Sequence, residues 1–243
     1  METLTEQYVR DLLGNIRDPY AETDLLALGW VRGVGIDGNR VSVDLRAGYP
    51  LGDTREARAA EITAALEADS RIEKAVVNLD WKVVPHAVQG ELKPNEQIKN
   101  IIAVASGKGG VGKSATSVNL ALALAADGAR VGVLDADIYG PSMPRMLGVS
   151  GPPDTDGNRI VPKRAHGVQV MSIGFMVEED TPMIWRGPMV TSALQQLLSE
   201  TNWESLDYLV IDLPPGTGDI QLTLSQNIPV AGCVIVTTPQ DIA

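Results

Sequence analysis

The sequence has 243 residues, of which 20 are basic and 31 acidic, and the formal net charge of −11 at pH 7 is spread over both halves of the chain. This balance argues against a broad binding surface for nucleic acid or for an anionic membrane, because both need clustered Lys and Arg. Aromatic residues make up 4% of the chain. The core is therefore expected to consist of Val, Ile, Leu and Ala, which is typical of parallel sheets covered by helices.

Neither a secretory signal nor a membrane anchor is predicted. Residues 1–20 are acidic and polar, and no apolar run approaches the length of a membrane span. Cys233 is the only cysteine, which excludes an intrachain disulfide and favours the reducing cytoplasm as the location. Its strand-like apolar surroundings predict a buried structural thiol. His86 and His166 lack partners at ligand spacing, so no zinc site is predicted.

Residues 1–85 predict a small α+β domain. Its expected elements are, in chain order, a helix over 5–16, strands over 30–36 and 40–45, a helix over 55–67 and a strand over 72–84. Thr5 is a candidate cap for the first helix, and the Asp-Gly-Asn sequence over 37–39 is typical of a turn between antiparallel strands. The polar segment 86–97 is interpreted as a linker.

Residues 98–243 predict a second domain in which strands and helices alternate. The expected elements are a strand over 100–105, a helix over 115–127, strands over 131–134 and 168–173, a helix over 189–200, and strands over 208–211 and 232–237. This order predicts a doubly wound, mostly parallel α/β sheet. Ligands of such sheets bind at the carboxyl ends of the strands.

The segment between the strand at 100–105 and the helix at 115–127 has the spacing of a phosphate-binding P-loop. A glycine at 107, four residues, and then Gly112, Lys113 and Ser114 fit the pattern in which backbone N–H groups converge on phosphate oxygens. Lys113 is expected to neutralise the β and γ phosphates, and Ser114 to offer a hydroxyl to Mg²⁺. The expected fold is therefore a P-loop NTPase sheet preceded by the small α+β domain. The predicted ATP-binding residues here are Gly107, Lys108, Gly109, Gly110, Val111, Gly112, Lys113, Ser114 and Ala115.

A second lysine in the loop, Lys108, narrows the choice among the families of P-loop proteins. The sequence Gly-Lys-Gly-Gly-Val-Gly-Lys-Ser over 107–114 resembles the deviant P-loop of the MinD, ParA and nitrogenase-iron-protein group. The resemblance implies that Lys108 is a catalytic residue that reaches across a homodimer to the partner's nucleotide. A solvated loop lysine is the alternative.

An acidic pair follows the strand predicted at 131–134. Asp135 and Asp137 stand where paired carboxylates suit Mg²⁺ and water. In the deviant P-loop group the second acid orients or activates the attacking water, so the resemblance implies Asp137 as a catalytic residue and Asp135 as indirect support for the metal. Turn chemistry is the alternative, because an Asp at this place also fits an Asx turn.

The apolar strand at 208–211 ends in Asp212, the Walker B form in which the carboxylate holds Mg²⁺ through water. The sequence Leu-Pro-Pro-Gly-Thr-Gly-Asp over 213–219 makes this assignment specific, because Gly216 can offer its N–H to a γ-phosphate of ATP. Asp219 fits the site and a helix cap equally well. The predicted metal residues are Ser114, Asp135 and Asp212.

Three stretches, residues 135–142, 185–189 and 212–219, together resemble the Mrp (ApbC-type) iron–sulfur cluster carrier ATPases. The resemblance covers nearly the whole chain, since this family often carries a small N-terminal domain. It implies a cytoplasmic homodimeric ATPase that binds a [4Fe–4S] cluster transiently and transfers it to apo-proteins, with cluster scaffold proteins as further partners. The preference for ATP over GTP is likewise implied by the family.

The family's cluster ligands are a Cys-x-x-Cys pair in the C-terminal part of the ATPase domain. This chain ends at Ala243 before such a pair, so it is expected to be truncated and to contain no iron–sulfur ligands. Related N-terminal domains often carry a cysteine after the second strand, where residues 47–51 are Ala-Gly-Tyr-Pro-Leu. A docking role is therefore expected for this domain in place of thiol chemistry.

Two other functions stay open at this point. A MinD/ParA-like positioning ATPase would act on membrane or DNA, against which the acidic balance and the carrier motifs argue. A non-catalytic interaction module would show an exposed apolar sheet edge and would not bind ATP.

Overall fold

The computed structural model describes residues 4–88, 92–176, 187–216 and 226–239. The chain forms two compact units, Met1–Val84 and Pro85–Ala243. In the described ranges, none of the helices combines the length and apolar character needed to cross a membrane.

The first unit has the predicted order of helix, strand, strand, helix, strand. Its elements are α1 (Glu6–Leu13), β1 (Val31–Asp37), β2 (Arg40–Ala47), α2 (Arg55–Glu67) and β3 (Lys74–Trp81). The predicted cap is confirmed, because the Thr5 side chain accepts a hydrogen bond from the backbone N–H of Tyr8 at 3.2 Å. The three strands are ordered β1-β2-β3, with β1 antiparallel and β3 parallel to β2.

The core of this unit follows from the alternation of β2. Its residues are exposed and buried in turn, so Val41, Val43 and Leu45 share one face of the sheet. They pack with buried residues of both helices, such as Leu13 and Ile62. Each such buried aliphatic side chain stabilises the fold by about 1.5–3 kcal/mol.

The second unit confirms the doubly wound, mostly parallel sheet. Its elements are β4 (Ile98–Ala105), α3 (Lys113–Ala126), β5 (Val131–Asp135), α4 (Met143–Leu147), β6 (Asp154–Asp156), β7 (Arg159–Val161), β8 (Lys163–Ala165), β9 (Val168–Ser172), α5 (Gly187–Glu200), β10 (Leu206–Asp212) and β11 (Gly232–Ile235). The six-stranded sheet has the order β11-β4-β10-β5-β9-β8, in which only β8 is antiparallel to its neighbour.

The two long helices of this unit cover opposite faces of the sheet. The crossover from β4 through α3 to β5 runs in one direction along the sheet and that from β9 through α5 to β10 in the other, so right-handed connections place the helices on opposite sides. Leu209 and Ile211 of β10 pack with the buried leucines of α5, while α3 contacts β10, β5 and β4. The close packing requires Gly132, where a Cβ would stand 2.6 Å from Leu206 Cδ1.

Four short elements between β5 and β9 were not expected from the sequence. They are α4 and the strands β6, β7 and β8, each of three to five residues. Segments of this length carry too few residues to show a period. Gly157, with φ of +60°, supplies the tight turn of the β6–β7 hairpin.

The predicted burial of Cys233 is wrong. Cys233 lies on β11 and is exposed, as are all four residues of that strand. The reason is position, because β11 is the edge strand of the sheet and, in the described part of the chain, pairs with β4 alone. The apolar pattern correctly predicted a strand, but a strand's burial depends on what covers it.

Candidate active site

The acidic motifs of the second unit meet at the carboxyl ends of adjacent strands. In the strand register Asp212 is paired with Asp135 of β5 on one side and with Val104 of β4 on the other. The P-loop follows β4 directly, so the loop and both carboxylates share one edge of the sheet. This is the edge at which doubly wound sheets bind their ligands.

The loop from Gly107 to Gly112 has the backbone that its glycines permit. Gly110 and Gly112 have φ of +80° and +89°, in the left-handed region that residues other than glycine rarely adopt. A Cβ built at Gly109, Gly110 or Gly112 would meet no atom within 4 Å. The loop therefore borders open space at the start of α3, whose first-turn N–H groups have no partners within the helix.

Lys113 points into a buried cluster of oxygen atoms. Its side chain is 6% exposed, and its Nζ lies 2.8 Å from Asp212 Oδ2 and 3.6 Å from Asp137 Oδ2. Ser114 Oγ donates a hydrogen bond to the same Asp212 Oδ2 at 2.5 Å. The structure thus brings together Lys113, Ser114, Asp137 and Asp212, as the sequence motifs predicted.

Ser117 is a further residue of the site that the sequence motifs did not predict. This residue of α3 is fully buried, and its Oγ lies 2.6 Å from Asp212 Oδ1, the oxygen that Lys113 and Ser114 leave free of their own contacts. The signal was present in the spacing, because residues three apart on a helix lie on the same face. A small polar residue three positions after Ser114 is placed to contact what Ser114 contacts.

Asp135 holds the loop that follows β5. It is fully buried, and its two oxygens accept hydrogen bonds from the backbone N–H groups of Asp137 at 3.1 Å and Met143 at 3.0 Å. Burial raises the pKa of Asp135 to about 6, the two backbone hydrogen bonds act in the opposite direction, and the nearby carboxylates of Asp212 and Asp137 add to the rise. In this structure Asp135 therefore acts on the site through the position of Asp137.

Asp137 makes the turn contact that the sequence offered as the alternative, and it also faces Lys113. Its Oδ1 accepts a hydrogen bond from the backbone N–H of Tyr139 at 3.3 Å, which is the Asx turn. Its Oδ2 faces Lys113. The turn therefore fixes the backbone while the second oxygen remains directed at the buried lysine.

Two predicted residues have local partners that bear on their assignments. The backbone N–H of Gly216, assigned to a γ-phosphate, donates to the carbonyl of Ser106 at 2.9 Å. The Lys108 carbonyl accepts from Ser106 Oγ at 2.9 Å, and its side chain is half-buried. Both assignments stay predictions, and that of Gly216 requires its present hydrogen bond to be exchanged.

Other parts of the predicted motifs lie outside the described residues. They are Trp185 and Arg186 of the 185–189 stretch, and Thr217, Gly218 and Asp219 of the stretch that follows Asp212. In the first unit, the segment after β2 places the Tyr49 hydroxyl 2.5 Å from Asp18 Oδ2, to which it donates. Tyr49 thus has a structural partner within the segment 47–51, for which the resemblance implies a cysteine in many related domains.

The donor set fits a nucleotide with Mg²⁺. The open glycine loop can accept phosphate close to the backbone, and Lys113 is the buried cation beside it. The Ser114 hydroxyl and the Asp212 carboxylate are hard oxygen ligands of the kind that Mg²⁺ takes together with water and phosphate. A mostly parallel sheet with this loop, lysine and strand-end aspartate defines a P-loop NTPase.

The chain belongs to the family described as NUBPL iron-transfer P-loop NTPase, whose model matches residues 97–243. Residues 6–82 match a second family, described as iron–sulfur cluster assembly protein. The resemblance to iron–sulfur cluster carriers inferred from the motifs is thereby confirmed.

Individual relatives agree with this assignment. The chain is 49% identical to an iron–sulfur cluster carrier protein of Haemophilus influenzae over 98% of its own length and 65% of the relative's. It is 60% identical to the carrier protein of Escherichia coli over 68% of its length and 46% of the relative's. The chain thus spans between about half and two thirds of the length of these relatives.

A solved structure gives the same fold. A nucleotide-binding protein from Archaeoglobus fulgidus, in complex with ADP, matches 61% of this chain and 58% of its own with a TM-score of 0.54 at 40% identity. The relative binds its nucleotide in a chain of the fold described above.

Proposed function

We propose that this chain binds Mg²⁺·ATP and hydrolyses it as part of an iron–sulfur cluster carrier that transfers a [4Fe–4S] cluster to apo-proteins. The observation that carries the proposal is the buried contact of Lys113 and Ser114 with Asp212 beside the open glycine loop. Family membership supports the carrier function over a positioning ATPase that acts on membrane or DNA.

Binding would change the partners of Lys113. A triphosphate in the loop offers Nζ oxygens that compete with Asp212, and the lysine neutralises charge that develops on the β and γ phosphates. Mg²⁺, held by the Ser114 hydroxyl and by Asp212 through water, would supply further charge neutralisation at the same phosphate oxygens. Asp137 positions the attacking water, and Asp135 fixes Asp137 by holding the loop backbone.

The remaining assignments concern assembly. Lys108 completes the site of a second copy in a homodimer, and Gly216 contacts the γ-phosphate after releasing Ser106. The cluster is cargo in this proposal, and it requires cysteine ligands beyond the single Cys233. The first unit docks a cluster scaffold protein or an apo-protein, and the whole protein works in the cytoplasm.

Replacement of Lys113 tests the nucleotide site. Lys113→Ala is expected to weaken ATP binding by at least ten-fold, because a charge-assisted bond to phosphate contributes about 1.5–3 kcal/mol. Equilibrium binding of labelled ATP measures the effect. Lys82→Ala, at an exposed lysine of the first unit, is the matched control. Equal affinity of the Lys113 variant and the parent would refute the assignment.

A further inference from the structure

We infer that Ser117 is a positioning residue for the Asp212 carboxylate and keeps Oδ2 directed at the metal when nucleotide is bound. The inference rests on the proposed function. It starts from the division of the carboxylate between two sets of partners, with Lys113 and Ser114 at Oδ2 and Ser117 at Oδ1.

The Ser117 hydroxyl is committed to Asp212. Its single proton has two acceptors in reach, the Lys113 carbonyl at 3.1 Å and Asp212 Oδ1 at 2.6 Å. The shorter contact to a charged oxygen is the stronger hydrogen bond. Serines within helices otherwise bond back to the preceding turn, as Ser199 of α5 does to the Gln195 carbonyl at 2.8 Å. Ser117 therefore differs from an ordinary helical serine by its carboxylate partner.

Nucleotide binding would remove the other two partners from the carboxylate. Lys113 would turn to the phosphates and the Ser114 hydroxyl would help to hold Mg²⁺, so both contacts to Oδ2 would be exchanged. Ser117 has no part in either exchange, because it lies about one turn further along α3 and bonds the opposite oxygen. It remains the donor that sets the rotation of the carboxylate during loading.

Loss of this hydrogen bond would lower the affinity of the site for Mg²⁺. Asp212 is fully buried, so an Oδ1 without its donor carries a desolvation cost that rotation of the carboxylate can relieve. Rotation would turn Oδ2 away from Ser114, the residue with which it would hold Mg²⁺. Mutation of residues that orient metal ligands in this way typically costs 10- to 100-fold in metal affinity.

The test compares ADP binding with and without metal. A fluorescent ADP analogue is titrated into the 243-residue chain in excess Mg²⁺ and again in EDTA, and the ratio of the two affinities measures the contribution of the metal. Ser117→Ala is expected to lower this ratio about ten-fold or more and to leave the affinity in EDTA unchanged. Ser117→Thr, which keeps the hydroxyl, is expected to restore the ratio, and Ser199→Ala is the control for a serine that bonds only its own helix.

Each other outcome counts against the inference. A ratio equal to the parent's overturns it, and so does an equal loss of affinity in both buffers, which would make Ser117 a residue of helix stability alone. If Ser117→Ala does not fold, Ser117→Cys keeps nearly the same volume with a weak donor and is held to the same criterion. A parent chain that binds no ADP in either buffer would refute the proposed function, and the inference with it.

Discussion

At the scale of single residues, the three carboxylates of the site have different partners. Asp212 contacts the Lys113 ammonium group and accepts hydrogen bonds from two serine hydroxyls, and Asp137 also faces the ammonium group. Both oxygens of Asp135 accept hydrogen bonds from backbone N–H groups. The division follows from what each oxygen can reach. A change of one carboxylate should therefore affect one step of the reaction.

Asp137→Asn separates turnover from binding. The amide oxygen can still accept the Tyr139 N–H, so the turn is preserved and only the charge is lost. We expect ATP to bind with at least the parent's affinity and turnover to fall about 100-fold, the lower range of what a positioned acid or base contributes. Steady-state phosphate release and equilibrium binding measure the two quantities. The complete protein is the sample, with Asp127→Asn at the exposed end of α3 as the control. Parental turnover with normal binding would remove Asp137 from the mechanism.

At the scale of elements, a cluster of charged side chains links three strands at their amino ends, opposite the carboxyl ends that form the site. Asp207 of β10 accepts hydrogen bonds from Lys99 of β4 at 2.6 Å and from the Arg130 side chain, just before β5, at 3.2 Å. Burial alone would raise the pKa of Asp207, but the hydrogen bonds from Arg130 and Lys99 outweigh it and hold the pKa below its ordinary value of 3.8. The cluster therefore stabilises the register of β4, β10 and β5.

Asp207→Asn is expected to lower the free energy of unfolding of this unit by about 2 kcal/mol at pH 7, since hydrogen bonds to a charged group are lost. A lowered pKa contributes stability that is complete above the unfolded-state pKa and is lost as pH falls through the folded-state pKa. The difference between parent and variant should thus be constant above about pH 5 and shrink below pH 4. Denaturant unfolding at pH 7 and pH 3 measures it.

Glu204→Gln is the control for this experiment, because the Arg164–Glu204 pair is 59% and 61% exposed. An exposed pair is worth about 0–1 kcal/mol. A pH-independent loss in the Asp207 variant would contradict the electrostatic explanation.

The sequence predicted the long elements and the phosphate loop because their signals are local. The alternation of 40–45, the helical period of 55–67 and the glycine spacing of 107–112 each lie within one element and need no partner to be recognised. The contact of Ser117 with Asp212 joins residues 95 positions apart. The exposure of Cys233 depends on the place of β11 in the sheet. The spacing of Ser117 from Ser114 indicates only that the two share a helix face. Neither the residue that this face contacts nor the place of β11 in the sheet has a local signal in the sequence.

At the scale of the whole molecule, the chain combines two units that match two families, one of iron-transfer P-loop NTPases and one of iron–sulfur cluster assembly proteins. The whole sequence contains a single cysteine, Cys233. A [4Fe–4S] cluster is usually held by four thiolates. A symmetric dimer of this chain offers two. A cluster with four thiolate ligands therefore needs thiolates that residues 1–243 do not supply.

Anaerobic reconstitution tests whether residues 1–243 supply enough thiolate ligands for a cluster. The 243-residue chain, incubated with iron and sulfide and then desalted, is expected to retain no stoichiometric iron and no cluster absorption, whereas a version extended through a Cys-x-x-Cys pair is expected to retain both. Cys233→Ser is the matched variant, since Cys233 is exposed and open to adventitious iron. Stable stoichiometric iron on the Cys233→Ser chain would show that the ligands lie elsewhere.

The salt bridge between Lys113 and Asp212 also affects the electrostatic free energy of nucleotide binding at the proposed site. A nucleotide that arrives without metal draws the ammonium group away from Asp137 and Asp212 and leaves two buried carboxylates without a counter-ion, which is unfavourable. In the proposed site, a divalent cation that arrives with the nucleotide would restore the balance of charge. Binding would then exchange the ammonium group for Mg²⁺ as the partner of the carboxylates, and the protein should bind the metal complex of a nucleotide in preference to the free anion.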